Sequence, residues 1–410
     1  MNAMQTYIIA TAYFFFIVEL FIISRSFLYT RRERNTKRPD YTPKTAIIAP
    51  HYGWDAETEA HAKGLLYQDY AGEYEVFFVT HQKADTGHDV SYPHLCEIAE
   101  PYPNVHVLLA PNIVDNDLGR SQKVQNLLTA IEKLPDDIKV IAFVDADVAI
   151  QKDWLTLLVN PLQEPEIGTT VGGRFYFPQT WNIASLAESI WVNFQMSFQG
   201  DHPFTMVWGG SNAFRREMLE KAQILERWEQ ATIEDLNTTL AMRDVKHKVH
   251  FVPDCVAVTH TANRTWNQVI EFTNRQVIMT FHMGLWVQWL ASLLVCLPKG
   301  ICVFGSIPFL FHRRELLPVI FILFLLFLEA LSYRLYSKNL PRWLQDMPKV
   351  RQAISISSYV TSVGIFLAGF NAVYAVFQRK ITWGGVRYEI LSATTCRVLG
   401  AVKRKRKDSV

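Results

Sequence analysis

Three groups of carboxylates stand in an order and spacing that could carry out chemistry on a phosphate-bearing substrate. Asp85 follows an apolar run, Asp145 and Asp147 form an Asp-x-Asp after VIAFV, and Glu234-Asp235 follow at the expected start of a helix. Two anions as close as Asp145 and Asp147 repel each other unless a cation lies between them. Mg²⁺ and Mn²⁺ prefer such oxygen ligands, and either would neutralise charge on a departing diphosphate.

Glu234 and Asp235 lie in TIEDLNTTLAM, which is predicted to form a helix. One interpretation is catalytic, with Asp235, or its neighbour Glu234, removing the proton from an acceptor hydroxyl as that hydroxyl attacks a sugar carbon. The other interpretation is structural. Thr232 could cap the helix, and Asp235 would then be its third residue, where acidic side chains complete a capping box.

Three further side chains each have a binding and a structural interpretation. Asp85 could contact a nucleotide base or ribose, or it could belong to a surface turn. Lys123 could meet a phosphate, or it could be a solvated charge. Trp208, which two glycines follow, suits a loop that approaches a sugar, but a simple turn accounts for it as well.

The middle of the chain alternates strands with helices. Its strands are near-continuous apolar runs, a pattern that predicts an α/β domain with a mostly parallel sheet covered on both sides. Strands are predicted at 44–50, 74–80, 104–110 and 139–147, and helices at 56–68 and 121–134, the second with Ser121 as its N-cap. Ligands bind beyond the carboxyl ends of such strands, so Asp85 and Asp145 should reach the same crevice.

Composition and absent motifs argue against several classes of protein. The chain has neither a GxGxxG after the first strand nor a Walker phosphate loop, so the common dinucleotide and ATP folds are disfavoured. The formal net charge of +2 is near neutral, and no nucleic-acid partner is expected. The five cysteines lack the spacing of a zinc site or a disulfide framework, which predicts reduced thiols.

Both ends of the sequence contain apolar stretches long enough to cross a bilayer. Residues 7–29 precede the basic run RRERNTKR, which predicts that the following domain lies in the cytosol. The predicted organisation is an N-terminal transmembrane helix (1–30), a basic linker (31–43), a catalytic domain (44–284), a C-terminal membrane region (285–377) and a basic cytosolic tail (378–410).

The stretch 285–311 is the least regular of the apolar segments. Pro298-Lys299-Gly300 breaks it near the middle, and a lysine at the bilayer centre is costly. Full spans are predicted at 315–336 and 354–377. A re-entrant or interfacial course is predicted for 285–311, because only then does the basic tail return to the cytosolic side. Glu19, within the first span, is predicted to face other helices.

Taken together, these segments resemble the GT-A glycosyltransferases of the family 2 type, and most closely their ceramide glucosyltransferase-like branch. The resemblance covers residues 44–280 and extends to the membrane stretches at both ends. It depends on the motifs IIAPHYGWD, QDYAGEYEVFFVT, SQKVQNL, FVDADV, WGGSNAF and IEDLNTTL, on the Asp of QKAD, and on the C-terminal segment ITWGGVRYEI.

The resemblance implies a GT-A fold flanked by transmembrane helices, a UDP-sugar donor, a divalent metal and inversion at the anomeric carbon in one displacement. It also implies a role for each residue that matches a motif of these enzymes. Asp85 would contact the nucleotide, Lys123 would lie by the nucleotide or diphosphate, Asp145 and Asp147 would hold the metal diphosphate, and Asp235 would be the base.

One motif departs from the pattern of these enzymes, which usually carry Q/R-x-x-R-W before the C-terminal membrane region. Here the stretch reads Arg275-Gln-Val-Ile-Met. Ile278 and Met279 can offer a diphosphate neither a charged partner nor a stacking face. Arg275 or Arg264 is the nearest cation that could compensate. The departure weakens the case for a processive polysaccharide synthase, in which this motif lines the acceptor channel.

The sequence therefore predicts an integral membrane hexosyltransferase that moves a hexose from a UDP-sugar to a lipid hydroxyl, ceramide-like or other, at the cytosolic face. Membrane segments beside the catalytic domain would hold it where lipid hydroxyls are concentrated and oriented. The alternatives are a processive polysaccharide synthase and a catalytically inactive membrane scaffold that kept the fold. The Ile-Met replacement favours the scaffold, whereas the intact carboxylates disfavour it.

Overall fold

A computed structural model describes residues 3–261, 263–305 and 316–402. Its helices are α1 (Ala3–Asn35), α2 (Ala56–Gly64), α3 (Ser91–Ala99), α4 (Gln122–Ile131), α5 (Trp154–Val159), α6 (Ile183–Gln195), α7 (Met218–Lys221), α8 (Ile224–Trp228), α9 (Asp235–Asp244), α10 (Trp266–His282), α11 (Trp286–Ala291), α12 (Leu297–Gly305), α13 (Leu316–Ser337), α14 (Arg342–Gln345), α15 (Pro348–Ser357) and α16 (Thr361–Phe377). Its strands are β1 (Thr45–Pro50), β2 (Tyr74–His81), β3 (Val105–Ala110), β4 (Val140–Val144), β5 (Ile167–Pro178), β6 (Ser211–Arg215), β7 (Lys248–Thr261), β8 (Lys380–Trp383), β9 (Val386–Ile390) and β10 (Cys396–Ala401).

Seven strands form the central sheet in the order β3-β2-β1-β4-β6-β5-β7. Strand β6 runs antiparallel to both of its neighbours, and the other four pairings are parallel. The prediction of an α/β domain with a mostly parallel sheet is confirmed. Strands β2, β1 and β4 are adjacent, so the segments that follow their carboxyl ends share one edge of the sheet.

Burial of both sheet faces explains why the strands are apolar throughout. Successive residues of a strand point to opposite faces. Ile47 and Phe78 therefore belong to one core cluster, whereas their neighbours Ile48 and Phe77 belong to another. Helices α2, α3 and α5 cover the first face, and α4, α8 and α9 cover the second. An amphipathic alternation is absent because neither face of the central strands meets water.

The C-terminal region contains a second sheet, in the order β10-β9-β8, whose strands are antiparallel. Gly384 and Gly385 connect β8 to β9 with φ angles of +56° and +77°, a conformation that glycine adopts without steric cost. Tyr388 and Ile390 of this sheet pack in the same cluster as residues of α10 and α16. The predicted basic tail therefore includes a folded sheet between residues 380 and 401.

Two helices of the described residues are long and apolar enough to cross a membrane, Tyr13–Asn35 and Pro348–Phe377. They contain most of the predicted spans at 7–29 and 354–377. The predicted span at 315–336 coincides with α13 from residue 316 onward, and residue 315 lies outside the described residues. Helix α1 continues to Asn35, so the first residues of the predicted linker are helical.

The stretch 285–311 is helical from Trp286 to Gly305, and residues 306–311 lie outside the described part of the chain. The expected break at Pro298 does not occur in this part. Residues Ser292–Cys296 adopt a π-helical turn, in which the i→i+5 pattern changes the hydrogen bonding just before the proline, and α12 starts at Leu297. Pro298 therefore lies inside a continuous helical run, directly after a π-helical turn that changes the hydrogen-bonding pattern at the proline.

Lys299 is tolerated among these apolar helices because acidic side chains surround it. Its ammonium contacts the Glu19 carboxylate and lies 3.3 Å from a Glu329 carboxylate oxygen. The hydroxyl of Ser332 donates to Glu19 at 3.0 Å, and that of Ser362 donates to Glu329. We call Glu19, Lys299 and Glu329 the helix-bundle charge cluster. Glu19 therefore faces other helices, as the sequence predicts.

Candidate active site

The carboxylates of the second and fourth strands line one cavity, as the sequence predicts. Asp145 directly follows β4, and Asp85 lies in the turn after β2; both border a cavity of about 1440 Å³ together with Asp147, Glu234 and Asp235. Because β2, β1 and β4 are neighbours, the sheet itself brings Asp85 and Asp145 to the same edge.

Lys123 links two of the predicted site residues. Ser121 caps α4 by accepting a hydrogen bond from the Val124 amide, as predicted, and this cap places Lys123 in the first turn. The Lys123 Nζ atom lies 2.6 Å from Asp145 Oδ1 and 2.6 Å from Glu234 Oε1. We call Lys123, Asp145 and Glu234 the active-site charge cluster. Burial lowers the pKa of Lys123, but the surrounding carboxylates outweigh it and keep the lysine charged.

The two glycines after Trp208 lack side chains and so leave room for the active-site charge cluster and for the Trp208 ring. A Cβ on Gly209 would collide with the Glu234 carboxylate and come within 2.8 Å of Lys123 Nζ. A Cβ on Gly210 would collide with the Trp208 indole ring, which lies against that backbone. Both glycines are thus required by close packing, and Trp208 itself lines the cavity, as the binding interpretation predicts.

Asp235 is the first residue of α9, and Glu234, not Thr232, occupies the N-cap position. The capping-box interpretation of Asp235 is therefore wrong. Its carboxylate accepts hydrogen bonds from the Leu236 amide at 2.6 Å and the Gly209 amide at 3.2 Å. Burial raises the pKa of Asp235, and the Glu234 carboxylate raises it further, to about 7, against the opposing effect of Lys123.

Asp147 is accessible from the cavity, with 63% of its side chain exposed. It lies 3.2 Å from the Arg174 guanidinium, which stacks over the rings of Tyr176 at 4.4 Å and Trp208 at 4.9 Å. From the sequence alone Arg174, like Lys123, could meet a phosphate or be a solvated charge. Its position could be recognised only from the strand pairing that brings β5 beside β6.

The residues after β4 fit a hard divalent cation. Asp145 and Asp147 offer carboxylate oxygens at the cavity wall. Within the described ranges no group of three His, Cys, Asp or Glu side chains is close enough to form a complete protein cage. Mg²⁺ characteristically takes one or two carboxylates and completes its shell with phosphate oxygens and water. The two carboxylates present here match that coordination preference.

The turn that carries Asp85 is held by a carboxylate that sequence reasoning missed. Asp89 is fully buried and accepts hydrogen bonds from the Gly53 amide at 2.9 Å and from Ser91, and it pairs with Lys83 at 2.5 Å. Burial raises the pKa of Asp89, but Lys83 and the amide donors outweigh this effect and lower the pKa to about 2. Asp89 thereby ties the loop after β1 to the loop after β2.

Arg275 also lines the cavity. Ile278 and Met279 supply neither the positive charge nor the aromatic ring of the expected Arg and Trp. Ile278 and Met279 are buried and pack in the cluster that contains the C-terminal sheet. Arg275 lies instead beside Trp383, which follows the membrane helices in sequence. The structure thus places an arginine and a tryptophan together at the cavity, but the two come from different segments.

One wall of the same cavity is apolar and consists of helical segments. Its residues come from α1, from α6 and the turn after it, and from the 286–305 helix: Phe21, Ile22, Phe194, Phe198, Val287 and Val295. A single cavity therefore extends from the carboxylates after β4 to side chains of the apolar helices.

This arrangement, with an Asp-x-Asp turn and a buried carboxylate beside a mostly parallel sheet, fits a glycosyltransferase. The profile of glycosyl transferase family 21 matches residues 7–396. The chain belongs to that family, and the predicted resemblance to the ceramide glucosyltransferase-like GT-A enzymes is confirmed.

Individual relatives are more distant. An N-acetylglucosaminyltransferase of Bradyrhizobium diazoefficiens is 27% identical over 232 residues, which are 53% of this chain and 45% of that protein. The chain thus matches less than half the length of that relative. Mannosyltransferase PcManGT from Pyrobaculum calidifontis, solved with GDP-Man and Mn²⁺, has a TM-score of 0.44 and 17% identity, covering 87% of this chain and 98% of its own. GalNAc-T7, solved with UDP, GalNAc and Mn²⁺, has a TM-score of 0.39 and 12% identity, covering 62% and 51%.

Proposed function

We propose that this glycosyltransferase moves a hexose from a UDP-sugar to a hydroxyl group of a membrane lipid, with its catalytic domain in the cytosol. The observation that carries the proposal is the continuous cavity. It has carboxylates and cations at one end, which suit a diphosphate and its metal, and apolar side chains of the helices along another wall, which suit an acyl chain.

The side chains divide the chemistry among them. Asp235 accepts the proton of the acceptor hydroxyl while the oxygen bonds to the anomeric carbon and the bond to the UDP oxygen breaks, which inverts the configuration at that carbon. A pKa near 7 keeps a useful fraction of Asp235 ionised at neutral pH. Glu234 pairs with Lys123 and is 4% exposed, so we assign it a positioning role.

Donor binding falls to the residues around the Asp-x-Asp turn. Asp85 contacts the nucleoside, Lys123 and Asp145 lie at the diphosphate, and Asp145 with Asp147 holds a Mg²⁺ or Mn²⁺ ion. The bound ion would neutralise charge on the leaving UDP. Trp208 supplies an apolar face to the sugar. The named relative in Bradyrhizobium, an N-acetylglucosaminyltransferase, makes UDP-N-acetylglucosamine one of the donors to test.

The packing of the C-terminal sheet supports the proposed topology. The Cys396 amide donates to the Gln230 carbonyl at 2.8 Å, and the Asn237 side chain donates to the Ala393 carbonyl at 2.8 Å. In the proposed topology the sheet and the catalytic domain lie on the same side of the membrane, because they contact each other, and an even number of crossings separates them. Two full spans after residue 285 meet this requirement, and the basic residues at the end of α1 favour the cytosolic side.

The test is transfer by purified full-length protein in lipid nanodiscs with Mn²⁺. Labelled UDP-glucose, UDP-galactose and UDP-N-acetylglucosamine are supplied with a lipid extract, and label is measured in the organic phase. We expect one donor to label a lipid. Absence of both transfer and donor hydrolysis with all three would refute the UDP-hexose assignment.

The same assay distinguishes the alternatives. A processive polysaccharide synthase would place the label in a water-soluble polymer. An inactive scaffold would give no product, and it need not bind UDP and Mn²⁺ in calorimetry. Labelled lipid in the organic phase excludes both.

A further inference from the structure

Arg275 is a cation in the cavity wall without an acidic partner. Three other arginines that line it are paired, Arg32 with Asp201 at 2.6 Å, Arg174 with Asp147 at 3.2 Å and Arg264 with Glu188 at 2.9 Å, and the Arg25 guanidinium lies 5.9 Å from the Phe21 ring centre. For Arg275, within residues 3–261, 263–305 and 316–402, the polar contact is one hydrogen bond to the Thr382 carbonyl at 3.3 Å. A guanidinium has five N–H donors, so most of them remain available to a ligand.

Aromatic rings hold this guanidinium in place without neutralising its charge. Its central carbon lies 5.4 Å from the Phe272 ring centre and 5.9 Å from the Trp383 ring centre. Such stacking fixes the plane of the group and leaves its edge free to bind oxygens. Phe272 belongs to α10, as Arg275 does, whereas Trp383 comes from the C-terminal sheet.

The hairpin that carries Trp383 also borders the cavity. Its turn residues Gly384 and Gly385 line the wall, and a Cβ on Gly385 would lie 3.6 Å from the Tyr52 hydroxyl. Tyr52 belongs to the loop after β1, and the Lys83 ammonium lies 5.4 Å from its ring centre. The hairpin thus reaches from Arg275 to the loops that border the proposed nucleotide site.

We propose that Arg275, positioned by Trp383 and the Thr382 carbonyl, is a binding site for phosphoryl oxygens that α10 and the C-terminal sheet form together. A fork of N–H donors matches two oxygens of one phosphoryl group. The inference rests on the proposed function for its two possible sources of that group, the terminal phosphoryl of a nucleoside diphosphate donor or a phosphate carried by the acceptor lipid.

The experiment measures binding to the full-length protein in detergent by calorimetry. The probes are pyrophosphate, UDP and UMP with Mn²⁺, and short-chain phosphatidylglycerol beside the corresponding diacylglycerol. The variants are Arg275→Gln and, as a matched control, Arg397→Gln, which removes an exposed arginine paired with Glu389 in the same sheet. Arg275→Lys is the second variant, and it serves if Arg275→Gln does not fold.

For a donor phosphoryl, Arg275→Gln should weaken pyrophosphate and UDP binding about 10- to 100-fold and leave UMP binding within about twofold. For a lipid phosphate, UDP binding should be unchanged and phosphatidylglycerol, but not diacylglycerol, should bind more weakly. Arg275→Lys should fall between wild type and Gln, because it keeps the charge but loses the fork. The Arg397→Gln protein should match the wild type.

Trp383 is tested as a positioning residue. Trp383→Leu should weaken binding of the same anion about two- to fivefold, and Trp383→Phe, which keeps a ring, should restore most of the loss. Equal loss in both variants would reject the positioning role.

The proposal is overturned if Arg275→Gln binds every anion as Arg397→Gln does, or if the wild type binds none of them. The proposed function can fail separately. If the wild type does not bind UDP but binds pyrophosphate or phosphatidylglycerol through Arg275, the donor assignment is wrong and the phosphoryl site stands.

Discussion

The active-site charge cluster and the helix-bundle charge cluster each place one lysine between two carboxylates. In the first, the lysine side chain is 16% exposed and borders the cavity beside Asp235. In the second, the lysine side chain is 8% exposed, and serine hydroxyls of α13 and α16 donate to the carboxylates. All three members of the first cluster therefore border the cavity, whereas serines complete the carboxylates of the second, of whose members Glu19 alone lines the cavity.

This difference separates a structural role from a binding role. A buried ion pair alone is weak evidence for either, because desolvation offsets much of the Coulombic attraction. What matters is where the remaining lone pairs of the carboxylates point. In the helix-bundle charge cluster they meet hydroxyls of neighbouring helices, so the cluster joins α1, α12 and α13. In the active-site charge cluster, Asp145 borders the cavity with 21% of its side chain exposed, where a ligand can reach it.

The largest effect on transfer should come from replacing Asp235, the further carboxylate that lies beside the active-site charge cluster and has no counterpart in the helix-bundle charge cluster. Asp235→Asn should lower the transfer rate about 10²- to 10⁴-fold, because the acceptor hydroxyl loses its base, while UDP binding with Mn²⁺ is retained. Rates are measured by lipid labelling and binding by calorimetry. Asp244→Asn, at the other end of α9, removes an exposed carboxylate and should leave the rate within about twofold. Full activity of Asp235→Asn would exclude it as the base.

The next largest effect should come from Lys299. Lys299→Met leaves two buried carboxylates without a cation and should lower the free energy of unfolding by about 3–5 kcal/mol, with UDP binding unchanged in the protein that remains folded. Denaturant unfolding in micelles measures the loss, with the exposed Lys349→Met as control. Adding Glu19→Gln and Glu329→Gln should recover most of the stability. Persistent instability of the triple variant would contradict a charge-balancing role.

A smaller loss of stability and a larger loss of ligand affinity should follow from Lys123→Met. Water in the cavity can solvate Asp145, whose side chain is 21% exposed, so unfolding should be affected less than by Lys299→Met. Affinity for UDP with Mn²⁺ should fall about tenfold, because a charge-assisted contact is lost. The comparison of the two clusters fails if the two lysine variants lose stability and affinity in the same proportion.

The smallest effect concerns the pH dependence of transfer. Ionised Asp235 is the active form, so the rate should rise with pH as the group titrates near 7. Glu234 raises that pKa, and Glu234→Gln should therefore move the acidic limb of the kcat profile to lower pH. The profile is measured between pH 5 and 9 with saturating donor. A limb that moves to higher pH would show that loss of the Lys123 contact outweighs loss of the Glu234 charge.

Local sequence patterns predicted the first half of the sheet well. Strands β1 to β4 and the Ser121 cap depend on runs of apolar residues and on neighbours within a few positions, which a sequence displays directly. The predicted start of α9 was wrong because it depends on a residue distant in the sequence. Glu234 takes the N-cap position and pairs with Lys123, and nothing near Thr232 reveals a partner so far away in the chain.

The C-terminal sheet was missed although it carries a readable signal. In ITWGGVRYEI two glycines separate residues that alternate between the two faces of a hairpin. Its contact with Arg275 could not be read in this way, because it depends on the return of the chain through the membrane helices. The break expected at Pro298 was wrong for a local reason, since a π-helical turn precedes it.

The joint wall made by the hairpin has a consequence for biosynthesis. The central sheet is complete at Thr261, but Trp383 leaves the ribosome roughly 120 residues later, a delay of about 6–24 s at ordinary translation rates. During that interval a nascent chain can display folded carboxylates beside an open cleft. We expect ribosome-bound chains stalled before Lys380 to hold nucleotide weakly and to transfer no sugar, which cross-linking to a UDP photoprobe would measure. Synthesis itself would then keep the enzyme inactive until its C-terminal sheet has formed.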